Sequence, residues 1–205
     1  YKATRAEIPE LLIPQFELIY KTVENLNLPC ILQEGYEADD LIATYAKQAV
    51  DAGHDVVVVS ADKDLMQLIR PHVEFYDGMK DKFFTVEDVH EKFGVYPDKV
   101  VDVQALSGDK IDNIPGIPGI GPKTAAELVN LFGSVQGVLE NAEQIKQTKR
   151  RELVMQNKES AELSLKLVTL KDDVPVEHPL EDFKCQAPDA ATLLNFVTGL
   201  GFKSI

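Results

Sequence analysis

Residues 55–65 read DVVVVSADKDL, four consecutive valines followed at once by two aspartates. An unbroken β-branched run of this length is a strand, and the lack of polar alternation is typical of a parallel strand covered on both faces. Asp62 and Asp64 follow at its carboxyl end, where open α/β sheets place their ligands. The stretch therefore predicts an α/β protein with a parallel-centred sheet and a polar site at the end of that strand.

Upstream, Pro14 can open a helix to about Asn25 whose Phe16, Ile19, Tyr20 and Val23 form one apolar face. Leu28–Gln33 reads as a short buried strand leading into GYEADD, residues 35–40. Glu37, Asp39 and Asp40 then stand at the start of a helix that packs Leu41, Ile42, Tyr45 and Ala49 inward and ends near Gly53. One acid there is ordinary capping; three exceed what capping needs.

Downstream, Val73–Tyr76 and Lys82–Thr85 form a hairpin pattern, and Thr85 with Asp88 makes a capping box for a short helix closing at Gly94. Pro97 opens another helix, with Val100, Val101, Val103 and Leu106 apolar, that delivers Asp109 and Asp112. Their spacing puts both carboxylates on one side of a helical turn, an arrangement that asks for a cation between them. Next comes GIPGIG followed by PKTA, residues 116–125. Gly119 and Gly121 mark a tight turn, and Pro122 opens a helix whose first amides, beside Lys123 and Thr124, suit a phosphate. The rest is mainly helical, with a basic stretch at Lys146, Lys149, Arg150, Arg151 and Lys158 and a last helix from Pro188 to Gly199. The expected division is an α/β core over residues 1–106 and a helical part over 107–205.

The 205 residues carry a net charge of −13, with 44% hydrophobic and 27% charged residues, a globular composition. No apolar run approaches the roughly 20 residues that span a bilayer, and no signal peptide is evident, so the expected setting is cytoplasmic with no membrane. Cys30 and Cys185 are too few and too far apart for a metal knuckle or a disulfide framework. An acidic chain is a poor nonspecific binder of phosphates, unless some of its acids hold divalent cations that attract them.

Seven carboxylates stand out: Glu37, Asp39, Asp40, Asp62, Asp64, Asp109 and Asp112. Without His or Cys they suit hard cations such as Mg²⁺ or Mn²⁺, and their number suggests two ions. Two such ions about 4 Å apart suit phosphodiester hydrolysis. Two competing readings are a non-catalytic duplex-DNA-binding module that uses the glycine turn alone, and a PIN-type ribonuclease. The first gives no reason for EADD and SADKD; the second gives none for the glycine turn.

YKATR, GYEADD, SADKDL and GDKIDNIPGIPGIGPKTA, in this order, resemble the 5′ nucleases of the flap endonuclease family, which include the 5′-nuclease domain of bacterial DNA polymerase I. The resemblance covers the whole chain. It implies a PIN-like α/β part followed by helices with a helix-turn-helix DNA-binding element, and metal-dependent cleavage of DNA at flaps, nicks and 5′ ends. It implies that the seven acids bind metal, directly or through water. It further implies that Gly119, Gly121, Lys123 and Thr124 grip duplex phosphates with a monovalent cation. Lys2 and Arg5 would steady the scissile phosphate at the foot of an arch. A polymerase domain on the same parent chain is the implied partner. The family opens with a strand bearing one more metal-binding Asp, which the quoted motifs do not include. Residues 1–205 alone are therefore expected to be inactive, with Val56–Val59 exposed along an unpaired sheet edge.

Overall fold

The computed structural model describes residues 7–202, so Lys2 and Arg5 lie outside the described residues. In chain order the helices are α1 (Ile13–Asn25), α2 (Ala38–Asp51), α3 (Val86–Phe93), α4 (Val100–Ser107), α5 (Pro122–Phe132), α6 (Val135–Glu140), α7 (Thr148–Gln156), α8 (Lys158–Val168) and α9 (Ala190–Gly199). The strands are β1 (Val56–Val59), β2 (Val73–Asp77) and β3 (Lys82–Phe84). They divide between two compact units, one of residues 39–173 and a smaller one of residues 7–38 with 174–202.

In the larger unit the sheet order is β1-β2-β3, with β1 parallel to β2 and β2 antiparallel to β3. Val58 faces Phe75 across the parallel pair, and both are buried, whereas Val57 and Val59 are 48% and 67% exposed. The expectation of a strand covered on both faces is thus corrected: one face is covered. Among the described residues β1 pairs only with β2, so it is an edge strand whose alternate side chains leave the core. The path from β1 to β2 runs through a 3₁₀ helix, Lys63–Leu68, which buries Leu65, Met66 and Leu68.

The hairpin of β2 and β3 is fixed by Asp77, whose enclosed carboxylate accepts from the Met79 and Lys80 amides and from Lys80 Nζ at 2.7 Å. The Lys80 ammonium holds that carboxyl below its usual range. Thr85 and Asp88 form the expected capping box of α3, which ends at Gly94 with φ 75°. Helix α4 packs against α5 and α8, and Val100, Val103, Ala105 and Leu106 are essentially inaccessible. Residues on both sides of position 106 therefore share one core, and the division expected there separates strand-bearing from helical sequence within one unit.

In the smaller unit α1 begins at Ile13 with Pro14 in its first turn, as the sequence indicates, but none of its residues is buried. Phe16, Ile19 and Tyr20 are exposed, which corrects their reading as core. Residues 28–33 form no strand, a second correction: the segment has strand composition but no ladder partner, and Leu28 and Leu32 are exposed. Helix α1 touches α9, and Asn27 Nδ2 donates to the Ala187 carbonyl at 3.3 Å.

Candidate active site

The site grows from the carboxyl end of β1. Ser60 continues the ladder by donating its amide to the Tyr76 carbonyl at 3.0 Å, and its Oγ accepts from the Asp62 amide at 3.0 Å. Asp62 then caps the 3₁₀ helix, its Oδ1 accepting from the Asp64 amide at 3.0 Å. Asp64 in turn accepts from Gln104 Nε2 of α4 at 2.5 Å. Burial and the nearby Asp62 charge push the Asp64 carboxyl up, against the opposing pull of Lys63 and Gln104.

The second group of acids sits on a loop. Helix α4 ends at Gly108, and Asp109 exchanges both backbone hydrogen bonds with Ile114, at 3.0 and 2.7 Å. This bridge closes a turn in which Asn113 has φ 58° and Asp109 Oδ1 accepts from the Ile111 amide at 2.8 Å. Asp109 and Asp112 therefore do not lie on a helical turn, and that expectation is corrected. The positive φ of Gly108 ends the helix one residue before the first acid.

The base of the loop is tightly packed. Gly116 has φ 59°, and a Cβ there would stand 2.3 Å from the Gly108 nitrogen. Its amide donates to Ser164 Oγ at 2.9 Å and its carbonyl accepts from Ser160 Oγ at 2.7 Å, so α8 clamps the loop. Sequence reading missed Ser160, Ser164 and Gln104, whose roles are tertiary. The available signal was polar residues at positions that the helical period assigns to the interior.

Asp62, Asp64, Asp109 and Asp112 line one cavity of about 510 Å³ together with Ala61, Lys63, Lys92 and Ile111. Lys63 Nζ meets Asp109 Oδ2 at 2.5 Å. Burial pulls Lys63 down, but the hydrogen bond and charge of Asp109 outweigh it and leave it raised. Burial likewise pushes Asp109 up, and the bonds from Lys63 and the Ile111 amide overcome this and hold it low. Lys92 is lowered by burial and by the neighbouring Lys80 and Lys63 charges. The donor set is all oxygen and suits a hard cation. Among the described residues no three acids stand close enough to share one ion as placed, and the Lys63 ammonium occupies one face of Asp109. Asp39 and Asp40 lie in the first turn of α2 outside this lining, with Asp40 Oδ1 accepting from the Lys171 amide at 2.9 Å. Glu37 precedes α2 and belongs to the smaller unit.

Beyond the loop, the Ile120 amide donates to the Ile117 carbonyl at 2.9 Å, closing the glycine turn. Gly119 has φ 89°, and a Cβ there would approach Leu153 Cδ1 at 3.1 Å. Gly121 has ordinary extended geometry at φ −88°, which corrects its assignment to the tight turn. It caps α5, with Pro122 in the first turn, and a Cβ there would meet nothing within 4 Å. The first amides of α5 have no carbonyl four residues back, and Lys123 is exposed beside them. In the basic stretch, Arg150 pairs with Glu127 at 2.6 Å and Arg151 donates to the Ile145 carbonyl.

Comparison with known proteins gives matches along most of the chain. Residues 1–94 match the model of the 5′-3′ exonuclease N-terminal resolvase-like domain, and residues 95–191 that of the 5′-3′ exonuclease C-terminal SAM fold. DNA polymerase I of Rhizobium leguminosarum is 51% identical over 100% of this chain, which spans 20% of that protein. The 5′-3′ exonuclease of Aquifex aeolicus is 41% identical over 100% of this chain and 70% of its own length. The structure of T5 5′-exonuclease with bound divalent zinc ions shares the fold, with a TM-score of 0.72 at 23% identity, covering 97% of this chain and 72% of that one. With both halves of the chain matching in order and a relative of comparable length at this identity, the chain belongs to the 5′-3′ exonuclease family.

Proposed function

We propose that the parent protein of this chain hydrolyses phosphodiester bonds of DNA at 5′ flaps, nicks or 5′ ends during replication and repair. Its polymerase partner would be a domain of the same parent chain, and its setting the cytoplasm, where that DNA is. The observation that carries the proposal is the convergence of Asp62, Asp64, Asp109 and Asp112, from two stretches more than forty residues apart, on one cavity. Acids gathered in this way repel one another and a DNA backbone alike unless cations intervene.

In this reading the four aspartates hold Mg²⁺ or Mn²⁺, with Glu37, Asp39 and Asp40 adding ligands directly or through water. Two such ions supply an activated water and a charge on the leaving oxygen when bound. Lys63 balances Asp109 in the free protein and yields that carboxylate to a stronger counter-charge. Lys2 and Arg5 steady the scissile phosphate. The turn at Gly119 and the helix start at Gly121, with Lys123, Thr124 and a monovalent cation, grip duplex phosphates through the α5 amides. The open space above Gly121 supports this role, because neither its φ nor its packing requires the absence of a side chain.

The test is cleavage of a 5′-flap DNA with Mg²⁺, compared with single-stranded RNA, by the parent enzyme and by Asp62→Asn. The flap is cut and the RNA is not, and Asp62→Asn loses cleavage by orders of magnitude while duplex affinity is nearly unchanged. Equal loss of cleavage and binding would remove Asp62 from the catalytic set.

A further inference from the structure

Gln104 lies on the face of α4 that packs into the core and is 6% exposed, among neighbours that are otherwise apolar. Its Nε2 donates to Asp64 Oδ1 at 2.5 Å, and its Oε1 is the buried side-chain polar atom without a hydrogen-bond partner among the described residues. The two facts are linked by chemistry. An ionised carboxylate only accepts, so the amide nitrogen must face Asp64 and the amide oxygen must face away. Turning the amide over would satisfy neither end. An unpartnered buried carbonyl destabilises the fold, and an apolar residue of the same length would avoid that cost.

We infer that Gln104 is a positioning residue: it fixes the orientation of the Asp64 carboxylate, so that Oδ1 is engaged from the protein side and Oδ2 is left for a ligand in the cavity.

The surroundings support a role in orientation. Asp64 is anchored at its backbone by the Asp62 cap, but that bond leaves the side chain free to rotate. Lys63, next in sequence, is engaged with Asp109. Gln67 Nε2 holds the Asp64 carbonyl to α8, and Gln104 is the group that ties the Asp64 carboxylate to the helical core, across forty residues of sequence. Groups that orient a metal ligand from behind change affinity or activity by about 10–100-fold when removed. The role assigned to Oδ2 rests on the proposed metal-binding function; the orientation of the carboxylate does not.

The test uses two variants of the full chain, Gln104→Met and Gln104→Leu, which place an apolar side chain of similar bulk there and carry no donor for Asp64. Both variants also remove the orphaned oxygen, so they fold at least as well as a polar replacement; should Gln104→Met fail to fold, Gln104→Leu carries the test. Two quantities are read: the crystallographic position of the Asp64 carboxylate, and the Mn²⁺ dissociation constant from electron paramagnetic resonance, with Asp64→Asn as reference. The expected result is a rotated Asp64 carboxylate and Mn²⁺ affinity about 10-fold weaker. An unmoved carboxylate, or a moved one with unchanged Mn²⁺ affinity, overturns the inference. If the parent protein itself binds no Mn²⁺, the metal reading fails, and the rotation of Asp64 still decides whether Gln104 positions it.

Discussion

At the scale of single residues, the acids of this chain divide by what their surroundings do to the charged form. Asp109 and Asp77 are held low by ammonium partners, whereas Asp64 and Asp102 are pushed up by burial. Asp102, on α4, illustrates the consequence for stability. Its Oδ1 accepts from the Val135 amide at 2.7 Å, which satisfies a donor in the first turn of α6. Burial nevertheless dominates, and the carboxyl is raised from 3.8. A raised folded value means that the neutral form is favoured by folding, so this contribution to stability is fully present below the unfolded value and is lost as pH rises through the folded one. Asp102→Asn keeps an acceptor for Val135 and never ionises. Its melting temperature relative to the parent should therefore climb between pH 4 and pH 7, ending equal to or above the parent. Thermal melts at several pH values measure this, and a relative stability that falls over the same interval would contradict the assignment.

At the scale of elements, the acid loop and the glycine turn look alike in sequence and differ in physics. Gly116 is required by the protein: its φ is positive and an added Cβ would collide with the Gly108 backbone. Gly121 is not, since its φ is ordinary and the space around it is open. Gly116→Ala should therefore cost about 3 kcal/mol or more in denaturant unfolding, through strain and displacement of the loop that carries Asp109 and Asp112. Gly121→Ala should cost no more than about 1 kcal/mol, the difference in N-cap preference, while weakening duplex binding. Similar losses of stability in both variants would show that the two glycines serve the same structural purpose. Such a distinction is invisible in the one-dimensional pattern GIPGIG. What was legible in the sequence were features with a local code, namely the valine strand, the Thr85–Asp88 capping box, the hairpin and the glycine stops of α2 and α3. The misread elements are those decided by distant partners. Residues 28–33 have the composition of a strand and no ladder, and the Asp109 turn is shaped by Ile114, Ser160 and Ser164 rather than by helical spacing.

At the scale of the molecule, a net charge of −13 is unevenly used: four carboxylates face two ammonium groups in a single cavity. That concentration was readable as three acidic motifs, but the assembly of four of the seven acids around Lys63 and Lys92 needed the fold. The apolar interior is just as unevenly distributed. The core cluster runs from Ala43 to Ala161 and lies wholly within residues 39–173. The smaller unit contributes only Val174 and Val197 to the buried hydrophobic residues among those described, and α1 contributes none. Hydrophobic burial is the main favourable term in folding, so stability should reside in the larger unit. Its ends are tied within it, by the Asp40 carboxylate accepting from the Lys171 amide and by Lys47 paired with Asp172 at 2.9 Å. Residues 39–173 expressed alone should therefore unfold cooperatively, with a midpoint within about 3 °C of the full chain, the shift that roughly 1 kcal/mol produces at this size. Amide exchange in the full chain should agree, with α1 protons lost long before those of α4 and α8. A broad, non-cooperative melt of residues 39–173, or protection of α1 equal to that of α4, would mean that the two units depend on each other for folding in a way their separate cores do not account for.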